Sequence, residues 1–416
     1  MTFHPKTVTL TGAAFLTGLL TQSSVNLVGN MPLAEFVVLT IMAVLVVQTA
    51  IGSRVRTELF CMPLFWIFVV AQVIALAAYI FSDLYRGSST NDMIRGWSRM
   101  IFLGIDVIAI TYLFGANASC FIWSQVGLML GGALAVLLTG AQYDAYWKFG
   151  FGGPATIAVF MISPFFGRLI CIGLIGALAM IHLRLDFRSM GGVCLLASML
   201  LCVHGLPRQF RALILIPALV GGTAFTLWMN SRQRDEDVER GSRSNVERSA
   251  MLVAASEAIS DSPMIGQGSW FSKSRVMENF QFLRSEGARL AGVHGYSVDD
   301  DDVNVAVHSQ LLVSIAEGGI FGGTFFIVFG AMLAWALWYC TIRRAWDAKI
   351  PFYIFFLLNA TWNLFFSPFS GAHRLGIATA CGLICLLWRD SHSPVANEEQ
   401  PAFDETEPSA LREAHS

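Results

Sequence analysis

A histidine and a handful of arginines at the ends of apolar runs are the residues of this chain whose types and positions could do chemistry. The segment Val303-Asn304-Val305-Ala306-Val307-His308-Ser309-Gln310-Leu311-Leu312 places His308 where polar sequence turns apolar. Asn304 suits an N-cap, which predicts a helix from about Val305 with His308 in its first turn. A histidine titrates near neutrality and can take the proton of an attacking hydroxyl at a wet membrane surface. The same placement also fits an interfacial histidine without a chemical role. Arg188 opens another apolar run, Phe187-Arg188-Ser189-Met190-Gly191-Gly192-Val193-Cys194-Leu195-Leu196. A guanidinium there either offers a planar fork of donors to phosphate oxygens or snorkels to set helix depth. Arg240, Arg243 and Arg248 stand at the base of a long polar segment, where they meet an anion or form a solvated face.

Other chemistry-bearing residues argue against metal and redox sites. Asp299–Asp302 is an acidic run that could suggest paired carboxylates around a divalent metal, but no histidine or glutamate stands at a completing distance, so a solvated loop tip is expected. Cys381 and Cys385 are four apart on one helical face, and all eight cysteines lie in or beside apolar runs, as small buried hydrophobes do. No disulfide framework, metal site or cofactor is expected. Asp106 is the one ionisable residue in the middle of a run, with no partner evident from the sequence; Asn359 and Asn363 lie four apart on one face.

These residues need helices in a membrane to position them. The chain has 416 residues, 55% hydrophobic and only 13% charged, with mean hydropathy +0.59; soluble domains carry about a quarter charged residues. A net charge of −2 gives no reason to expect nucleic acid as a partner. An all-α polytopic membrane protein is predicted, with about twelve apolar runs near the length that crosses a bilayer. They are Val8–Val28, Leu33–Ile51, Leu59–Phe81, Ser98–Phe114, Cys120–Leu138, Ala155–Phe166, Leu169–Leu183, Met190–Val203, Ala212–Met229, Gln310–Cys340, Phe352–Phe366 and Leu375–Trp388. Pro164 and Gly167 leave open whether the sixth and seventh are two helices or one kinked span.

The division that follows is a bundle over 1–229 with about nine spans, a large periplasmic loop over 230–308 with short helices, about three spans over 309–390, and a disordered cytoplasmic tail over 391–416. Placing the N-terminus inside puts Arg54/Arg56, Arg168, Arg208/Arg211 and Arg343/Arg344/Lys349 on the cytoplasmic side. Arg86, Arg95, Arg184, Arg188 and Arg374 then fall on the outer side, and an anion bound there would explain them. Within the loop, Ser244-Asn245-Val246-Glu247 fits a capping box, predicting a helix to about Ile259 that stops before Pro263. Pro263-Met264-Ile265-Gly266-Gln267-Gly268 reads as a tight turn.

Three segments together resemble the O-antigen ligase and polymerase family: Phe187-Arg188-Ser189-Met190-Gly191-Gly192 opening a span; Glu247-Arg248 followed by Asp261-Ser262-Pro263-Met264-Ile265-Gly266-Gln267-Gly268; and His308-Ser309-Gln310-Leu311-Leu312 followed by Glu317-Gly318-Gly319-Ile320-Phe321-Gly322. The likeness covers about residues 150 to 390. Phe187 stands where the family has serine before its arginine, so Arg184 is an alternative to Arg188; Ser309 stands where asparagine follows the histidine.

The resemblance implies a glycosyltransferase of the bacterial inner membrane, multi-pass and active on its periplasmic face. Its donor would be glycan linked to undecaprenyl pyrophosphate, and its acceptor another glycan or a lipid, as in surface-polysaccharide polymerisation or ligation to lipid A core. His308 would activate the acceptor hydroxyl, and Arg188, Arg248 and, in reserve, Arg243 would hold the pyrophosphate, with no metal. Other polysaccharide assembly and export proteins would be partners. A transporter or flippase of the same lipid-linked glycan is the rival from another class, and it predicts polar and charged residues in mid-span, or broken helices in two corresponding halves.

Overall fold

The computed structural model describes residues 5–26, 30–51, 60, 62–140, 145–213, 252–253, 255–270 and 309–392. Among these, the chain is almost wholly helical, with one two-stranded antiparallel ribbon, β1 (Ser24–Asn26) and β2 (Asn30–Pro32). The helices are α1 (Pro5–Leu20), α2 (Ala34–Ala50), α3 (Pro63–Arg86), α4 (Thr90–Ala116), α5 (Ser119–Thr139), α6 (Gly152–Ile162), α7 (Arg168–Arg184), α8 (Arg188–His204), α9 (Gln310–Gly322), α10 (Thr324–Trp338), α11 (Ile350–Phe366) and α12 (Gly371–His392).

Among the described residues, six helical segments are long and apolar enough to cross a bilayer: Pro63–Arg86, Thr90–Ala116, Ser119–Thr139, Trp147–Phe166, Thr324–Arg343 and Gly371–His392. Five shorter apolar helices accompany them, namely Val8–Leu20, Ala34–Ala50, Arg188–His204, Gln310–Gly322 and Ile350–Phe366. The expected run at 212–229 lies almost wholly outside the described residues. Large apolar side chains cover the outside of the bundle; Ile67, Val70, Ile74 and Phe81 all project from one face of α3. Such a surface is stable against lipid, where helices satisfy every backbone polar group internally.

Small residues allow the closest helix pairing. Gly127 and Gly131 of α5 lie four apart, and a side chain on either would overlap the backbone of Phe15 or Leu19 in α1. With no hydrophobic drive between helices in lipid, this backbone approach supplies the packing.

Two expected runs resolve differently. The pair 155–166 and 169–183 forms a helical hairpin, not one kinked span. Gly167 has φ +90° at its turn; Ser163 Oγ meets Cys171 Sγ at 3.2 Å near the turn, and Thr156 meets His182 toward the open end. The run Gln310–Cys340 is interrupted: Gly319 adopts φ +65° inside α9 and breaks its hydrogen-bond ladder, and α10 follows from Thr324. The start of α9 also corrects the sequence reading. Ser309 is extended and caps the helix by accepting from the Leu312 N–H at 3.3 Å, so the helix begins at Gln310 and not near Val305.

Candidate functional site

The break at Gly319 leaves backbone carbonyls at the end of α9 without helical donors. The turn at 263–268 supplies them: Gln267 N–H donates to Ala316 O at 2.8 Å and Gly268 N–H to Glu317 O at 3.0 Å, while Ile320 N–H donates to Pro263 O at 2.9 Å. Two segments that the sequence reading grouped by motif alone are thus in direct contact. The helix entering this turn is present over 255–261 and stops before Pro263, as the sequence predicts.

The ends of α3 and α4 complete the clasp. Ser82 Oγ donates to Glu317 O at 2.8 Å and accepts from Gly268 N–H at 3.0 Å. Asp83 is fully buried and accepts from Ser269 N–H (2.6 Å), Ser269 Oγ (2.8 Å) and Trp97 Nε1 (2.7 Å). Arg86 donates to Gly266 O at 2.9 Å and to Ser262 Oγ at 2.6 Å.

At the centre, the Glu317 carboxylate is 1% exposed; Arg99 pairs with one oxygen and Trp270 N–H donates to the other at 3.0 Å. Trp270 sits at φ +62°, a conformation that costs energy for a bulky residue and survives only where its surroundings over-determine it. Its ring lies under two guanidinium groups, Arg95 at 4.4 Å and Arg99 at 5.4 Å. Arg95 has no carboxylate partner among the described residues.

No family model, curated protein or solved structure matches this chain.

Arg188 is the one predicted site residue that is described. It stands at the first position of α8, and its Nε pairs with Asp186 at 2.9 Å; Lys148 Nζ shares that carboxylate at 3.5 Å. This rim of two cations and one anion adjoins a cavity of about 660 Å³ whose walls include Gln125, Lys148, Phe187, Phe356 and Asn359. Behind the rim, His182 accepts from Trp147 Nε1 at 3.0 Å, so its other nitrogen carries the proton toward Thr156 Oγ1 at 2.8 Å. Both nitrogens are occupied, which makes His182 a structural residue. Neither Arg188 nor Arg184, the alternative to it, is itself on the cavity wall, and Arg184 is exposed.

His308, Arg243 and Arg248 lie outside the described residues, as does Asp299–Asp302. The attachment point of His308 is nevertheless defined. Ser309 is buried, and its hydroxyl lies 3.4 Å from Leu364 O near the end of α11. Asn359, on the cavity wall, is one and a half turns earlier on that helix, roughly 8 Å along its axis. No group of three or more His, Cys, Asp or Glu side chains suited to a metal occurs among the described residues.

The sequence reading passed over Asp83, Arg99, Trp270 and Glu35 and quoted Glu317 only within a motif. A signal was present in the arginines on the unexpected side. Arg86 and Arg374 fall there because they have internal partners, the turn at 262–266 and Glu35, and not because an anion holds them. Asp106 is also corrected: its partner is Arg374, 3.9 Å away.

Proposed function

We propose that this chain is a membrane glycosyltransferase of the O-antigen ligase and polymerase type, extending or transferring glycan carried on undecaprenyl pyrophosphate. About twelve spans would cross the bacterial inner membrane, with residues 230–308 as a periplasmic loop. The observation that carries this reading is the seating of the Pro263–Gly268 turn on the Glu317–Gly319 break, one short helix below Ser309. It holds the middle of the polar segment at the end of the bundle where Ser309, the residue after His308, sits beside the end of α11.

In this reading His308 takes the proton of the acceptor hydroxyl as its oxygen attacks the anomeric carbon. The bond to the pyrophosphate breaks on the opposite face, giving inversion by single displacement. Arg188, Arg248 and Arg243 stabilise the leaving pyrophosphate, a task arginine performs without a metal. The prenyl chain lies against the apolar helices, and the cavity beside Arg188 receives polar groups of donor or acceptor through Gln125 and Asn359.

The test is glycan extension by the purified protein in vesicles supplied with undecaprenyl-pyrophosphate glycan. His308→Ala is expected to abolish product while leaving the protein folded and inserted, and EDTA is expected to leave activity intact. Near-normal product from His308→Ala would remove the histidine from the mechanism. One observation favours the transporter reading: Glu35, Asp106 and Arg374 are charged residues buried inside the bundle. Movement of labelled lipid-linked glycan across the vesicle bilayer, without any glycosidic product, would decide for it.

A further inference from the structure

A second buried cluster, separate from the Glu317 clasp, joins three helices remote in sequence. Glu35 in the first turn of α2 and Asp106 of α4 are both 0% exposed, and Arg374 in the first turn of α12 is 8% exposed. Arg374 Nη2 donates to Glu35 Oε1 at 2.6 Å, and Arg374 Nε lies 3.9 Å from Asp106 Oδ2. The Asp106 carboxyl also faces that of Glu35. No donor among the described residues reaches either oxygen of Asp106 or Oε2 of Glu35, and Arg374 Nε, aimed at Asp106, has no acceptor within hydrogen-bond range.

Other charges do not alter the count. Asp83 and Glu317, from α3 and α9, belong to the Arg99 level, two turns or about 10 Å along α4. The ribbon and α5 carry no charged residue, and Lys6 is the only one in α1. Among the described residues the cluster therefore holds two acids and one base. A net negative charge enclosed by apolar side chains is strongly unfavourable unless neutralised, and two carboxyls in contact cannot both stay ionised. The bond from Arg374 keeps Glu35 as the ionised member.

We propose that Glu35, Asp106 and Arg374 form a buried proton-binding site, with the proton on Asp106 donated to Glu35 Oε2. With the proton in place the three groups are neutral overall, and α2, α4 and α12 are tied together. Its loss sets two carboxylates against each other between α2 and α4, so the seating of α2 depends on protonation. The site is independent of the glycosyl-transfer reading.

Infrared spectroscopy of the protein in vesicles of ether-linked phosphatidylcholine, which carry no ester carbonyl, tests the assignment. At neutral pH the wild type is expected to show a carboxylic-acid C=O band. Asp106→Asn and Glu35→Gln should each abolish it, because Asp106 facing Arg374 alone ionises. In the wild type, 13C-carboxyl labelling of aspartate should shift the band, which assigns the proton even if a variant does not fold. Absence of the band, its survival in both folded variants, or insensitivity to aspartate labelling would overturn the proposal. Loss of the band when sodium replaces choline in the buffer would also overturn it, in favour of a cation.

Discussion

At the scale of single residues, burial with a partner explains Arg374 and Arg99. Arg99 and Glu317 are almost completely enclosed and neutralise each other, while Trp270 N–H occupies the second carboxylate oxygen. Removing one member of such a pair strands a buried charge and typically costs about 3–5 kcal/mol. Glu317→Gln is therefore expected to lower thermal stability markedly, and Arg99→Met combined with Glu317→Leu to recover much of the loss. A mild single variant, or a double variant worse than the sum of the singles, would show that the pair does not hold the clasp. The sequence displays both residues but not their pairing: they stand 218 positions apart, and nothing local distinguishes Arg99 from Arg95. His308 was legible as a candidate because it stands alone at a polar-to-apolar boundary. Its place in the first helical turn was misread because Ser309, not Asn304, accepts the capping bond.

Among the elements, two glycine positions govern how helices meet. Gly319 adopts φ +65° and lies against Met264 O, so alanine there would be strained and would press on the seated turn. Gly319→Ala is expected to cost about 1–3 kcal/mol and to speed hydrogen exchange at the Gln267 and Gly268 amides; unchanged exchange would mean that the turn is held elsewhere. Between α1 and α5, Gly127→Leu should force the two helices apart and lower the yield of folded protein, whereas the same change at Gly153, which has open space around it, should be tolerated. The sequence located these helices well because a long apolar run is a local property. It did not reveal the break in the run from 310, since a glycine there is also compatible with a continuous helix, and only the incoming turn rewards the left-handed conformation.

For the whole molecule, the turns after α3 and α11 share one end of the bundle, because Arg99 stacks on Phe369 at 5.0 Å. The turns before α5 and α11 share the other, where Phe121 packs on Tyr353 at 5.5 Å. Single cysteines at Gly87 and Ser370, in a background without native cysteines, should react with an impermeant thiol reagent from one side of the membrane only, and those at Ser119 and Lys349 from the opposite side. Labelling of Gly87→Cys and Ser119→Cys from the same side would mean that α4 does not cross. The sequence by itself determined that this is a helical membrane protein and roughly where its helices lie, because the apolar length needed to span lipid is written in consecutive residues. Tertiary structure alone decided which charges are neutralised inside the bundle. Arg374 meets Glu35 across 339 positions, and the sequence cannot rank the carboxylates available to it. The pairing follows from which helices pack together, and packing depends on the shapes of whole faces and not on any local run.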